Sequence, residues 1–142
     1  EENVKIFPYK NIDIFPCGLS DKNKDGTPIR LNSYAPGFNI FAAEMNNIRL
    51  PLRTIDYLVD SGEIEKINFL KLDVEGSEMA TLRGARNSID RFKPKLAISI
   101  YHKPDDFFEI INYIKENHKY YKLYVDHYTV HREETVVYGL PY

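Results

Sequence analysis

The chain has no tryptophan and a single cysteine, Cys17, so no internal disulfide can form. That absence sets a reducing, cytoplasmic location as the expectation. No apolar run approaches the roughly 20 residues that a membrane-spanning helix needs. Charge of one sign is lacking too. The formal net charge is −2 and no long basic run occurs, which argues against a nucleic-acid or membrane-surface partner. The opening EENVKIFPYK lacks a starting methionine and resembles neither a signal peptide nor a basic leader. The expectation is a chain that begins after processing or inside a longer protein. What remains is ordinary globular composition, 43% hydrophobic and 28% charged over 142 residues. A domain of that size buries roughly two-thirds of the surface its unfolded chain exposes.

The pattern along the chain divides near residue 52. Before it, IDIFPCG (12–18) reads as a short strand and SDKNKDGTP (20–28) as a polar turn cluster. A poorly patterned stretch with Pro36-Gly37 and Pro51 then reads as loop with room for a hairpin. After it, Thr54 predicts the cap of a short helix carrying Ile55, Leu58 and Val59, stopped at Gly62. INFLKLDV (67–74) predicts a strand covered on both faces. Gly76 breaks it, and a helix is expected to about Ile89, with Met79, Leu82, Ala85 and Ile89 inward. KLAISIY (95–101) predicts the next buried strand. A helix from Pro104 to about Asn117 should turn Phe107, Ile110, Ile111 and Ile114 inward, with Asp105 and Asp106 at its positive end.

YYKLYVDHY (120–128) and TVVYGL (135–140) predict two strands joined by a segment too short for a crossover, so they pair antiparallel. INFLKLDV and KLAISIY, joined through a helix, should be parallel. The expected fold class is α/β, a mostly parallel sheet ending in an antiparallel hairpin.

Chemistry concentrates in NFLKLDVEGSE (68–78), where an apolar run ends in Asp73, Glu75 and Glu78 around a glycine. Ligands of open α/β sheets sit beyond the carboxyl ends of the strands. Asp73 and Glu75 occupy that place on one strand, Tyr101 and His102 on the next. Neighbouring strands lie about 5 Å apart, so two carboxylates and an imidazole should share one rim. Glu78 is expected to do no more than favour the positive end of its helix, and Glu75 could instead pair with Lys71 or Lys103. DKNKDG (21–26) imitates the start of a calcium loop, but Asn32 stands where a bidentate Glu is needed. His127 and His131 have zinc-like spacing without a second ligand pair, so no metal site is expected there.

INFLKLDVEGSEMATLRGA, with its K-x-D-x-E-G-x-E run and L-x-G-A helix, resembles the signature of FkbM-type methyltransferases, a branch of the S-adenosylmethionine-dependent class I enzymes. FPCGLSDK near the start, the stretch from KLAISIYHKPDDFF to YVDHY and the closing ETVVYGLP are similar to that family as well. The resemblance runs from about residue 12 to the end, weakly over 27–50. It implies a partial Rossmann-like fold of strand order 3-2-1-4-5-7-6. On that map IDIFPC is strand 3, INFLKLDV strand 4, KLAISIY strand 5 and the hairpin strands 6 and 7. The first strands and the glycine-rich turn that holds the cofactor have no counterpart, and no G-x-G occurs anywhere. The expectation is therefore the C-terminal part of one methyltransferase domain over 1–142, with strand and irregular region to 52 and α/β core from 53. Strand 4 should then present an unpaired apolar edge, open to self-association. The isolated chain should bind the cofactor weakly or not at all.

The resemblance implies S-adenosylmethionine as cofactor and a hydroxyl of a sugar, glycan or small metabolite as methyl acceptor. Asp73 would meet the cationic end of the cofactor or the acceptor hydroxyl, and His102 would act as base. Histidine as a residue type ordinarily titrates near neutrality. Glu75 would orient His102 or bind the acceptor, and Gly18 and Leu19 would lie near the adenine. Two alternatives compete with this reading. LDVEGS distantly resembles the D-x-D-G-T motif of magnesium-dependent aspartyl phosphotransferases, although Glu75 replaces its second Asp. A non-catalytic α/β binding module is the other.

Overall fold

Residues 11–28, 49–131 and 133–142 are described by a computed structural model. Their elements run β1 (Gly18–Leu19), β2 (Lys24–Pro28), β3 (Arg49–Arg53), α1 (Ile55–Asp60), β4 (Phe69–Leu72), α2 (Glu78–Arg83), α3 (Arg86–Phe92), β5 (Lys95–Ser99), α4 (Asp106–Asn117), β6 (Tyr121–His127) and β7 (Thr135–Pro141). Two sheets form, β1-β3-β2 and β4-β5-β7-β6.

The larger sheet carries the core. β4 and β5 are parallel, β5 and β7 antiparallel, and β6 and β7 antiparallel over the full hairpin from Tyr121↔Pro141 to His127↔Thr135. The hairpin and the parallel neighbours match the sequence expectation, and the order β4-β5-β7-β6 matches the implied 4-5-7-6. The expectation of a mostly parallel sheet is corrected. β4–β5 is the sole parallel ladder of this sheet among the described residues, because β7 returns between β5 and β6 and pairs antiparallel with both. β5 is the strand covered on both faces, with Leu96, Ala97, Ile98 and Ser99 all buried. Ile89, Ile98, Ile110, Ile114 and Val137 are fully inaccessible. Each such side chain contributes about 1.5–3 kcal/mol relative to exposure.

β4 pairs with β5 alone among the described strands, which leaves the unpaired edge that was expected of it. Its faces differ from expectation: Phe69 is 57% exposed, so the strand read as covered on both faces is half covered.

The first 52 residues depart further. Residues 12–16 make no strand, and Ile12 and Ile14 are exposed, with no described strand beside them. Among the described residues of 11–20, only Gly18–Leu19 pair, in parallel with Leu52–Arg53. The polar cluster read as a turn contains β2, which pairs antiparallel with β3 through a bulge between Lys24 and Thr27. Gly26 supplies the left-handed backbone there, φ +62°. Most of the irregular stretch, residues 29–48, lies outside the described residues, as does the Asn32 of the calcium-like pattern.

α1 forms as its sequence predicts. Thr54 Oγ1 accepts from Tyr57 N at 2.9 Å, and Gly62 (φ +81°) ends the turn that follows. The single helix expected to Ile89 is instead two. Gly84 and Ala85 interrupt it, where the Gly84 carbonyl accepts from Asp56 N and the backbone of Ser20 passes against Gly84. The Asp56 carboxylate of α1 then caps α3 from a distance, accepting from Ser88 N (2.7 Å), Ser88 Oγ (2.6 Å) and Asn87 N (3.1 Å). In α4, Ile110 and Ile114 are buried and Ile111 partly so, but Phe107 is exposed and stacks edge-on with Phe108 at 5.2 Å.

Candidate active site

The parallel register places Leu72 beside Ile98, so the next residues out, Asp73 and Ser99, emerge together at the carboxyl end of the sheet. Ser99 Oγ donates to Asp73 Oδ1 at 3.1 Å, and Tyr101 OH donates to the same oxygen at 3.3 Å. Lys71 Nζ donates to Oδ2 at 3.0 Å. Partial burial pushes the Asp73 pKa up, but the hydrogen bonds from Lys71, Ser99 and Tyr101 and the Lys71 charge outweigh it and leave it below the ordinary value. Asp73 is a carboxylate held ionised. Tyr101 responds in the opposite sense, its phenol pushed up to about 12 by burial first and by the Asp73 charge second.

Beyond Asp73 the chain turns through two left-handed residues, Glu75 (φ 51°) and Gly76 (φ 91°). Glycine tolerates that conformation freely and a glutamate does not, so the Glu75 backbone carries strain of roughly 1–3 kcal/mol. The turn brings the Glu78 side chain back under the loop, where Oε1 accepts from Val74 N at 2.8 Å. It also presents the Gly76 carbonyl to Lys103 Nζ, which donates to it. On the other strand end, Asp106 is buried at the start of α4 and accepts from Lys103 N at 2.9 Å. That bond fixes the segment carrying His102.

His102 lies where these parts meet. Its side chain is 10% exposed. Nε2 is 3.6 Å from Asp73 Oδ1 and 3.6 Å from Glu75 Oε2. Nδ1 is 2.8 Å from Glu78 Oε1, close enough for an ion pair but without the alignment of a hydrogen bond. The ring leans on Tyr101 with centroids 4.2 Å apart. A shallow cavity of about 260 Å³ adjoins, lined by Ile100, Tyr101, Lys103, Pro104 and Thr135.

The expected rim of Asp73, Glu75 and His102 is thus brought together. Glu75 contributes from the outside, with a side chain 90% exposed. Glu78, read from sequence as a helix-end charge, is the correction. It is fully buried and faces His102 Nδ1, the place assigned to Glu75 as orienter. A signal was available: Glu78 falls in phase with Leu82, Ala85 and Ile89, all fully buried, so helical spacing puts it on the inward face. Gly18 and Leu19 sit elsewhere. They form β1 of the small sheet, and Leu19 lines a cavity of about 480 Å³ with Phe15, Cys17 and residues Lys66 to Leu70. No described contact joins either residue to the Asp73 rim. His127 ends β6, its Nδ1 2.8 Å from Thr135 Oγ1.

No helix among the described residues is long and apolar enough to cross a membrane. No curated protein matches the chain. The crystal structure of a methyltransferase FkbM from Methylobacillus flagellatus KT is similar over 98% of this chain, with 28% identity and a TM-score of 0.70. The chain spans 31% of the length of that protein. The family profile described as the methyltransferase FkbM domain matches residues 9–122, including both strand ends that build the rim. This match leaves the aspartyl phosphotransferase alternative without support. With its K-x-D-x-E-G-x-E segment folded into a carboxylate–histidine crevice, the chain belongs to the FkbM methyltransferase domain family.

Proposed function

We propose that this domain serves methyl transfer from S-adenosylmethionine to a hydroxyl of a sugar or small metabolite, with the Asp73–His102 rim as the acceptor side of the site. The observation that carries the reading is the position of His102. One ring nitrogen is backed by the buried Glu78, and the other opens between Asp73 and Glu75.

When bound, the cofactor supplies an electrophilic methyl group on a positively charged sulfur. The residues of this chain fit that charge at one point: Asp73, kept ionised by Lys71, Ser99 and Tyr101, is a fixed anion at the sheet end. The acceptor hydroxyl must lose its proton as its oxygen attacks. His102 Nε2 takes that proton, and the Glu78 carboxylate behind Nδ1 stabilises the imidazolium that results. Glu75, exposed and 3.6 Å from Nε2, is placed to accept a hydrogen bond from an acceptor hydroxyl. The clasp between Lys103 and Gly76 holds both strand-end loops in position, and positioning of this kind supplies several kcal/mol of barrier reduction.

The test is transfer of labelled methyl from S-adenosylmethionine to a panel of sugars and hydroxylated metabolites by the protein carrying this chain. His102→Ala is expected to lower turnover by about 10²–10⁴, the usual worth of a positioned base. Asp73→Asn should lower it as well, with circular dichroism confirming that both variants fold. Unchanged turnover in both variants refutes the assignment.

A further inference from the structure

The rim contains more unmet bonding capacity than proton transfer needs. Glu78 is 0% exposed, and its Oε2 has no hydrogen-bond partner among the described residues. His102 Nδ1 is buried and likewise lacks an aligned partner. A buried polar atom left unpaired costs about 1–3 kcal/mol, and more when the group is charged. Native structures rarely leave such atoms without water, a partner or an ion. Asp73, Glu78 and His102 each offer one ligand atom here, and those atoms lie within 4.8 Å of one another.

The geometry points to a divalent-cation site formed by Asp73, Glu78 and His102. Two carboxylates and a neutral imidazole carry a charge that balances a dication. A mixed nitrogen–oxygen donor set suits first-row transition ions such as Mn²⁺ or Zn²⁺ rather than calcium, which takes oxygen alone. Metal–ligand bonds of about 2.1 Å require the three atoms to close in, to separations of about 3 Å. The donors arrive from three segments: the loop after β4, the first residue of α2 and the loop after β5. Asp73, on a loop and one-third exposed, is the donor that would make that movement, loosening its bonds to Lys71, Ser99 and Tyr101 as it does so. Lys71 holds the outer oxygen, Oδ2, while Oδ1 faces His102 and accepts from Ser99 Oγ and Tyr101 OH, so the ion would compete with those two donors for it.

Three protein ligands leave coordination positions open, the pattern of a catalytic rather than a structural ion. A hydroxyl bound there would be acidified, since a metal ion strongly lowers the pKa of an oxygen it holds. That role rests on methyl transfer at this rim and would take over the deprotonation assigned above to His102, because an imidazole that ligates an ion through one nitrogen keeps its proton on the other; the binding of the ion does not rest on it. Proton and cation compete for the same three groups, so binding should weaken as pH falls.

The experiment titrates Mn²⁺ alone into the protein carrying this chain and follows the free-ion signal by electron paramagnetic resonance. One bound Mn²⁺ per chain is expected. Affinity should fall at least tenfold in Glu78→Gln and in Asp73→Asn, and stay unchanged in Asp60→Asn, a surface control. Wild-type protein gives a second readout that needs no variant. Substoichiometric Mn²⁺ should broaden the ring resonances of His102 and leave those of the buried His118 sharp. No loss of free signal at millimolar Mn²⁺, equal affinity in all variants, or a sharp His102 resonance overturns the site. Methyl transfer that survives EDTA yet needs His102 overturns the catalytic role of the ion and leaves the proposed function standing. Mn²⁺ bound at this site by a protein that transfers no methyl group upholds the ion and refutes the proposed function.

Discussion

Gly84 is where the two sheets are sutured, and replacing it with alanine tests that reading. Its backbone lies at φ −74°, ψ −5°, which alanine adopts without strain. By conformation alone, Gly84→Ala should stabilise the fold by about 0.4–1 kcal/mol, because alanine restricts the unfolded chain. Space decides otherwise. A Cβ here would stand 2.1 Å from the Ser20 carbonyl oxygen and 3.2 Å from Thr54 Cβ. Carbon–oxygen contacts settle at about 3.3–3.6 Å, so the Ser20 backbone must retreat by on the order of 1 Å. That segment is tied down, since Ser20 N donates to Arg53 O at 3.0 Å and Asp56 N donates to Gly84 O at 2.9 Å. Overpacking of this kind costs about 1–3 kcal/mol, and a weakened backbone hydrogen bond a further 0.5–1.5. The balance is a loss of about 0.5–4 kcal/mol. Urea denaturation followed by circular dichroism should show a midpoint lowered by on the order of 1 M with an unchanged slope. A midpoint equal to or above that of the wild type would refute the suture.

Two further outcomes are expected. Tyr101 should ionise only near pH 12, read as the difference at 295 nm between wild type and Tyr101→Phe, and Asp73→Asn should bring that step down. The unfolded chain releases this proton near pH 10, so the contribution of Tyr101 to stability is intact below pH 10 and is lost as pH rises through 12. An ordinary tyrosine titration would refute the contact with Asp73. Asp56→Ala should lower the melting temperature by about 3–8 °C, since removing a helix cap costs about 1–2 kcal/mol in a domain of this size. A shift under about 1 °C would show that α3 needs no cap from α1.

The sequence was legible where local chemistry and long-range packing agree. Thr54 and Gly62 bound α1 by a cap and a left-handed stop, both encoded within a few residues. The hairpin follows from connection length, and the meeting of Asp73 with His102 follows from two parallel neighbours ending together. It was illegible where a distant segment overrides a local pattern. The periodicity from Met79 to Ile89 is a good helical pattern, and it breaks where Ser20 passes against Gly84 and Asp56 bonds the Gly84 carbonyl and the Ser88 amide. Ile12 and Ile14 alternate as a strand does, yet no described strand lies beside them. Glu78 was misread for a different reason. A charge at a helix start has an adequate local explanation, the helix dipole, which hid the fact that its spacing turns it inward toward His102.

The clasp of Lys103 on the Gly76 carbonyl has a consequence for how this crevice could change through mutation or design. The two strand-end loops are not independent modules, because one grips the backbone of the other and Asp106 anchors the gripping residue. Lengthening or shortening either loop would drag its counterpart out of register. New acceptor preferences should therefore arise from exchanging side chains at the crevice mouth, with Glu75 the most exposed of them, rather than from insertions that rebuild one lip alone.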